Sequence, residues 1–265
     1  MSTEMPDFTS HVTGGYTPSV TDLASSAISD VTDNLGPYAL AGLGLSLLNI
    51  VVLFIAIPLT YLGVGFGVMA GMFGGGAIGI AALAVNETLG LILTSFLPFI
   101  GMFVGMMLPI AALSIGLTFI TAPVGASMYR AIAERQRGGE ELTIASAFSS
   151  LGTNVVGVIG TTLLFLLFFI PGIMMCYIPG FIVSFALHWA IPAAALHNRS
   201  PLEAVMQSIK HVQENTLWHL GFWGLGIAIA MISGYIPVIG QMVLFSYIIK
   251  GYRAAFGDGP EPYQT

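Results

Sequence analysis

The sequence predicts an all-α protein: a polytopic bundle of membrane helices, with amphipathic helices at the interface. Three observations carry this. The 265 residues are 55% hydrophobic and only 8% charged, with a mean hydropathy of +0.88. A soluble domain carries about 25% charged residues, so lipid must cover most of this surface. Between Pro37 and Met128 the only charged side chain is Glu87. A crossing needs about 20 apolar residues, so this stretch holds three or four. Inside a bilayer the backbone must satisfy its own polar groups, which forces such stretches into helices.

The most distinctive segment is Leu62 to Val85. Gly63, Gly67, Gly71, Gly75 and Gly79 recur every four residues, and Gly65, Gly74 and Gly76 crowd beside them. In water each interior glycine weakens a helix by about 0.5–1 kcal/mol relative to alanine. In lipid, a spacing of four lines the glycines along one stripe. That stripe is a groove into which another helix backbone can press. The segment is read as a packing seam. The sharper alternative is a helix lining an oligomeric pore.

The remaining elements follow in order. Residues 1–16 are polar and aperiodic, a mobile tail. Thr17-Pro18 starts an amphipathic helix over 17–35, with Val20, Leu23, Ala24, Ala27, Val31 and Leu35 on one face. Its acidic outer face argues against anionic headgroups. Crossings are expected at 38–60, 63–85, 90–108 and 110–128, with breaks at Pro58, Asn86-Glu87 and Pro109. This first membrane half, 17–130, leads into a charged loop over 131–142. The second half, 143–255, holds a short helix from Ile144 to Leu151, crossings at 154–171 and 175–196, and an interfacial helix after Ser200. Ser200, Pro201 and Glu203 form a capping-box signature there. Two short helices then fill Thr216 to Arg253, broken at Gly234–Pro237. Residues 256–265 form a polar tail. The count is six to eight membrane segments.

All seven Lys and Arg residues follow residue 129, near 130–137, 199–210 and 250–253. Basic residues collect on the cytoplasmic side. Residues 130–142, 198–215 and 250–265 are therefore expected there, with the C-terminus cytoplasmic. No basic stripe suits nucleic acid. One cysteine, Cys176, allows neither an intrachain disulfide nor a zinc spacing. The N-terminus lacks a basic n-region, so no cleaved segment is expected.

Two anchors repeat. Tyr129-Arg130-Ala131 matches Tyr252-Arg253-Ala254. Ala27-Ile28-Ser29 with Asn34 matches Ala147-Phe148-Ser149 with Asn154, and Ser208-Ile209 before Asn215 is a fainter echo. These predict an internal duplication with both halves parallel.

The second half also resembles a group of uncharacterised bacterial polytopic proteins, similar to the membrane domain of some glycerophosphodiester phosphodiesterases. The resemblance covers about residues 120–255. It rests on Gly125 to Arg130 ahead of Arg137-Gly138-Gly139, on Leu142 to Phe148, on Ile170-Pro171-Gly172-Ile173, and on Glu203-Ala204 to Ser208 with Asn215. It implies a membrane module in the bacterial inner membrane. In that family the phosphodiesterase chemistry belongs to a separate soluble domain, which this chain lacks.

Chemistry is sparse. The one ionisable group placed inside the membrane is His188, read as a structural histidine bonded to a neighbouring helix. Intramembrane ionisable residues are otherwise the first functional suspects. His197, Arg199, His211 and His219 are placed at the cytoplasmic interface. His211 and His219 lie too far apart on a straight helix to share a metal ion. Ser149, Ser150, Ser184 and Ser233 have no His-Asp partners nearby in sequence. The glycine run lacks the Lys-Ser/Thr ending of a phosphate loop. The expectation is a non-enzymatic scaffold or accessory subunit with no cofactor and no metal. Its partners are the lipid bilayer and other membrane subunits or further copies of itself. The alternative is a channel or facilitator for a small solute, built on the Gly-rich helix 63–85.

Overall fold

The structure is a computed structural model describing residues 18–139, 141–174 and 177–257. The 1–16 tail, the cap at Thr17, Glu140, Cys176 and residues 258–265 of the C-terminal tail lie outside the described residues. Among the described residues the fold is all-α, without strands. Its helices are α1 Val20–Asp33, α2 Leu35–Leu83, α3 Glu87–Gln136, α4 Ile144–Ser149, α5 Val155–Met174, α6 Ile178–Leu187, α7 Ala190–Leu196, α8 Pro201–Glu214, α9 Thr216–Ser233 and α10 Pro237–Phe256. Among the described residues five stretches are long and apolar enough to cross a membrane: α2, α3, α5, the α6–α7 stretch Ile178–Leu196, and α9.

Several expected boundaries are corrected. The cut between 60 and 63 is absent, because α2 runs unbroken for 49 residues through Pro58. The cut at Pro109 is absent too, because α3 runs for 50 residues through it. Proline removes one amide donor and crowds the preceding turn. In an apolar medium the helix tolerates this, because ending it would strand more polar groups. The charged loop is shorter than expected, since α3 stays helical through Gln136. Ser19 caps α1, its hydroxyl accepting from the Asp22 amide at 3.1 Å. The 175–196 stretch is broken at His188-Trp189 into α6 and α7. The Ser200–Glu203 box is present, with the Ser200 amide donating to Glu203 Oε2 at 3.1 Å.

The chain divides into two compact units, Leu47–Ile120 and the remainder. The first is a helical hairpin. It turns at Ala84–Asn86, and Asn86 Oδ1 caps α3 by accepting from the Leu89 amide at 3.0 Å. The glycines on α2 fall into two sets. A Cβ on Gly67, Gly71 or Gly75 would fall inside the backbone of Gly105, Gly101 or Leu97, well within van der Waals contact. Gly79 faces Thr94 and Gly63 faces Pro109 in the same antiparallel register. Gly101 and Gly105 return the contact on Gly71 and Gly67. Gly65, Gly74 and Gly76 meet nothing within 4 Å. The hairpin exposes Phe54, Tyr61, Phe66, Phe73, Phe96 and Phe99 around its outside.

Along the chain one order of elements recurs three times: a short helix, an asparagine, then two long helical stretches. The short helices are α1, α4 and α8, followed by Asn34, Asn154 and Asn215. In α1 the buried residues are Leu23, Ala24, Ala27 and Val31; in α8 they are Ala204, Val205, Ser208 and Val212, each 181 positions later. The junctions bend alike, with Asn34 at φ −123°, ψ 40° and Asn215 at φ −134°, ψ 47°. Ala147 of α4 is fully buried, as Ala27 and Ser208 are. Each short helix docks on the helix that ends the preceding module. The Ser150 amide after α4 donates to Ser127 Oγ of α3 at 3.2 Å. Ser208 of α8 donates to the Ala186 carbonyl at 2.8 Å and accepts from the Trp189 amide at 3.2 Å. Ser246 of α10 donates to Asp30 of α1 at 2.9 Å, so the first short helix docks on the last module.

Candidate functional site

The polar groups of this second unit gather in three places. The first is built around His188, where α6 ends. Its Nδ1 lies 2.6 Å from the Phe185 carbonyl. A carbonyl only accepts, so Nδ1 carries the proton. The partner is one turn back on its own helix, not on a neighbouring one, which corrects the expected pairing. His188 is not isolated either. The ring of His219, fully buried, lies 5.4 Å away between centroids. Its Nδ1 accepts from the Trp189 indole at 3.0 Å. An indole N–H only donates, so the His219 proton sits on Nε2. His219 is thereby neutral, and the two rings carry protons on opposite nitrogens, His188 on Nδ1 and His219 on Nε2.

His211 joins them, its ring 5.1 Å from His219. The straight-helix argument that kept these two apart fails, because the chain bends at Asn215 between α8 and α9. Among the described residues no group of three or more His, Cys, Asp or Glu side chains is arranged to hold a metal ion. Around these rings Trp189, Phe222 and Tyr247 form the aromatic centre of the unit. Tyr247 stacks on Phe222 at 4.3 Å and donates to its carbonyl at 2.9 Å.

The second place is a knot on Asp30. One carboxylate oxygen accepts from Tyr38 at 2.8 Å, Ser246 at 2.9 Å and Gln136 at 3.2 Å. It ties α1 to α2, α3 and α10. The Arg135 guanidinium sits over the Tyr38 ring at 5.6 Å.

The third place is where α3, α7 and α10 end together. Arg130 is buried and donates to the Ala195 carbonyl at 2.7 Å and the Ser150 carbonyl at 3.0 Å. It serves the last carbonyls of α7, which have no helical partner. Beyond it Ala133, Arg137, Leu196, His197, Tyr252, Arg253 and Gly257 lie together around a shallow, closely packed depression. His197 shares a short hydrogen bond with the Tyr252 hydroxyl. Burial, then the charges of Arg199 and Arg137, push His197 down to about 4.

No family model, curated protein or solved structure matches the chain. The structure brings His188 together with His219 and His211, residues that the sequence reading placed at different depths. It sets Gly63, Gly67, Gly71, Gly75 and Gly79 against α3. The reciprocal set on α3, at Leu97, Gly101, Gly105 and Pro109, was missed. It too runs at a spacing of four, so the signal was there.

Proposed function

We propose that this chain is a multi-pass, non-enzymatic membrane scaffold or accessory subunit. One observation carries the reading: the buried polar side chains serve as fasteners between helices. Arg130 is spent on α7 and on the residue after α4, Asp30 on α2, α3 and α10, Ser208 on the α6–α7 bend. Asn154 donates to the Ala194 and Arg199 carbonyls at 2.9 and 3.0 Å. Thr60, Thr94, Ser95, Ser114 and Thr118 each donate to the carbonyl four residues back. These hydroxyls are therefore spent on the carbonyls of their own helices. The glycine face that an oligomeric pore would use is covered by α3. This favours the scaffold over the channel built on 63–85.

In this reading the chain is a threefold repeat of short helix plus hairpin, with six membrane segments, the low end of six to eight. The repeat replaces two parallel halves as the internal duplication. All three short helices and the C-terminus lie on the cytoplasmic face of a bacterial inner membrane. The likeness to the membrane domain of glycerophosphodiester phosphodiesterases fits here as a scaffold-type module. At about 1.5 Å per residue, the part of α2 inside the hairpin, Leu47–Leu83, extends about 55 Å, against about 30 Å of bilayer core. The aromatic outside of the hairpin is therefore the surface for other membrane subunits or further copies. The test is purification from native membrane in mild detergent, with mass by light scattering, followed by solute flux in liposomes. The scaffold reading expects a complex of fixed stoichiometry and no flux above empty liposomes. A lone monomer that conducts a solute overturns it.

A further inference from the structure

Within the histidine cluster, His188 alone keeps a buried, unpartnered lone pair. Its Nδ1–H is spent on the Phe185 carbonyl, and its Nε2 is buried with no hydrogen-bond partner. His219 differs, because the Trp189 indole occupies its Nδ1 lone pair. A proton reaches that nitrogen only by displacing Trp189. His211 differs too: its side chain is 13% exposed, and its Nδ1 lies 3.9 Å from Glu214. The cluster therefore opens to solvent at His211 and ends inside at His188.

The surroundings of His188 suit an imidazolium. The residue closes α6, and a helix C-terminus carries about half a negative charge. Phe185 and Phe222 stack on its ring at 21° and 26°, with centroids 6.1 and 6.0 Å away, and Trp189 lies at 4.4 Å. Aromatic faces within about 6 Å attract a cation. A charged donor would also bond the Phe185 carbonyl more strongly. The elements packed around it bring few titratable groups. α5 has none. α9 brings the neutral His219, and α8 brings His211 with Glu214 behind it. α10 brings Tyr247 behind Phe222 and Tyr252 beside Trp189. Burial holds His211 below the ordinary histidine range, and the Glu214 carboxylate pulls it back up. The bland account is a histidine that fills space and stays neutral. It gives no reason for an unpaired acceptor at the one place where a cation would be held.

We propose that His188 is a proton-binding site that sets the hold of the α6–α7 bend on α9. A proton from solvent adds to the Nε2 lone pair, and Nδ1 keeps its bond to Phe185. The new charge lies one ring away from His219, 5.4 Å between centroids. A cation there draws electron density from the His219 ring and weakens its Nδ1 as an acceptor. The Trp189–His219 bond, which ties the bend to α9, then loosens. Ser208 still holds the Trp189 amide, so the bend stays on α8 while it parts from α9. The switch does not depend on the scaffold reading, because it concerns this bend alone, whatever the chain assembles with.

The full chain in detergent, with nitrogen-15 in its imidazole and indole rings, tests this. Spectra are taken across about pH 4–8, a range that brackets the ordinary histidine value of about 6.5. His188 Nε2 should pass from bare to protonated in one reversible step while a thermal melt shows the protein still folded. In step with it, exchange of the Trp189 indole N–H, corrected for the intrinsic effect of pH, should speed up roughly five- to tenfold. That is the factor one net hydrogen bond supplies. Exchange of the Trp189 amide, held by Ser208, should not follow it. His188→Gln should lose the acceleration, and His211→Gln, which leaves the bare nitrogen in place, should keep it. A His188 Nε2 that stays bare down to the pH of unfolding overturns the proposal, even if His188→Gln fails to fold. So does protonation without faster indole exchange, an acceleration that survives in His188→Gln, or its loss in His211→Gln.

Discussion

The hairpin of Leu47–Ile120 makes a sharp prediction, because its glycines differ only in what they face. Gly71 meets the Gly101 backbone, whereas Gly74, three residues on in the same helix, meets nothing within 4 Å. Alanine at either site gains the same helix propensity, about 0.5–1 kcal/mol in water. At Gly71 the new methyl group must displace backbone, which cannot rotate away. The two helices must part, and a gap of even about 0.5–1 Å forfeits a quarter to a half of each facing contact. Overpacking of this kind costs about 1–3 kcal/mol. Gly71→Ala should therefore be less stable than Gly74→Ala by roughly 2 kcal/mol, and Gly71→Leu less stable still. Thermal melts of the purified variants in one detergent give the comparison. Oligomer size should not change in Gly71→Ala, because the seam closes within one chain. Equal melting of Gly71→Ala and Gly74→Ala would refute the seam.

His188→Gln should be tolerated, while His188→Leu should lose about 0.6 kcal/mol, the usual size of an intramembrane hydrogen bond; melting temperatures decide. Nitrogen-15 spectra should show His188 protonated on Nδ1 and His219 on Nε2, and the reverse pattern would contradict the hydrogen-bond assignment. Arg130→Met should cost about 2 kcal/mol or more, because it strands the Ala195 and Ser150 carbonyls; a melt matching wild type refutes that role. His197, held down to about 4 when folded against about 6.5 unfolded, contributes stability that is complete above about pH 6.5. That stability fades as pH falls towards 4. His197→Gln should flatten this part of the stability profile, and an unchanged slope between pH 6.5 and 4 would exclude His197 as its source.

Helix starts were legible wherever the chemistry is local. The Ser200–Glu203 box, the breaks at Asn86-Glu87 and Gly234–Pro237, and the apolar face of α1 all follow from short-range rules. Proline misled at Pro58 and Pro109, because its cost in water ends helices that lipid keeps intact. The glycine stripe was legible as a seam, but its partner was not named, since periodicity on one helix does not say which helix faces it. Interspersed Phe, Met and Leu hide the matching set at Leu97 to Pro109. The His188–His219 pair depends on two bends, at His188-Trp189 and at Asn215. Neither bend carries glycine, and the depths of the two residues looked different in a linear reading. The proposed three-module repeat left only a pair of anchors and one faint echo in the sequence. In that proposal the hairpin of Leu47–Ile120 lengthens the first module and hides its match to the other two.

In the proposed topology three hairpins all return to one face of the membrane. Single-cysteine accessibility in Cys176→Ser protein tests this directly, with probes at Glu141, Gln213 and Glu87 in sealed membrane vesicles. The prediction is that Glu141 and Gln213 are labelled from the same side and Glu87 from the other. Labelling of Glu141 and Gln213 from opposite sides, or of Glu87 together with both, would contradict it.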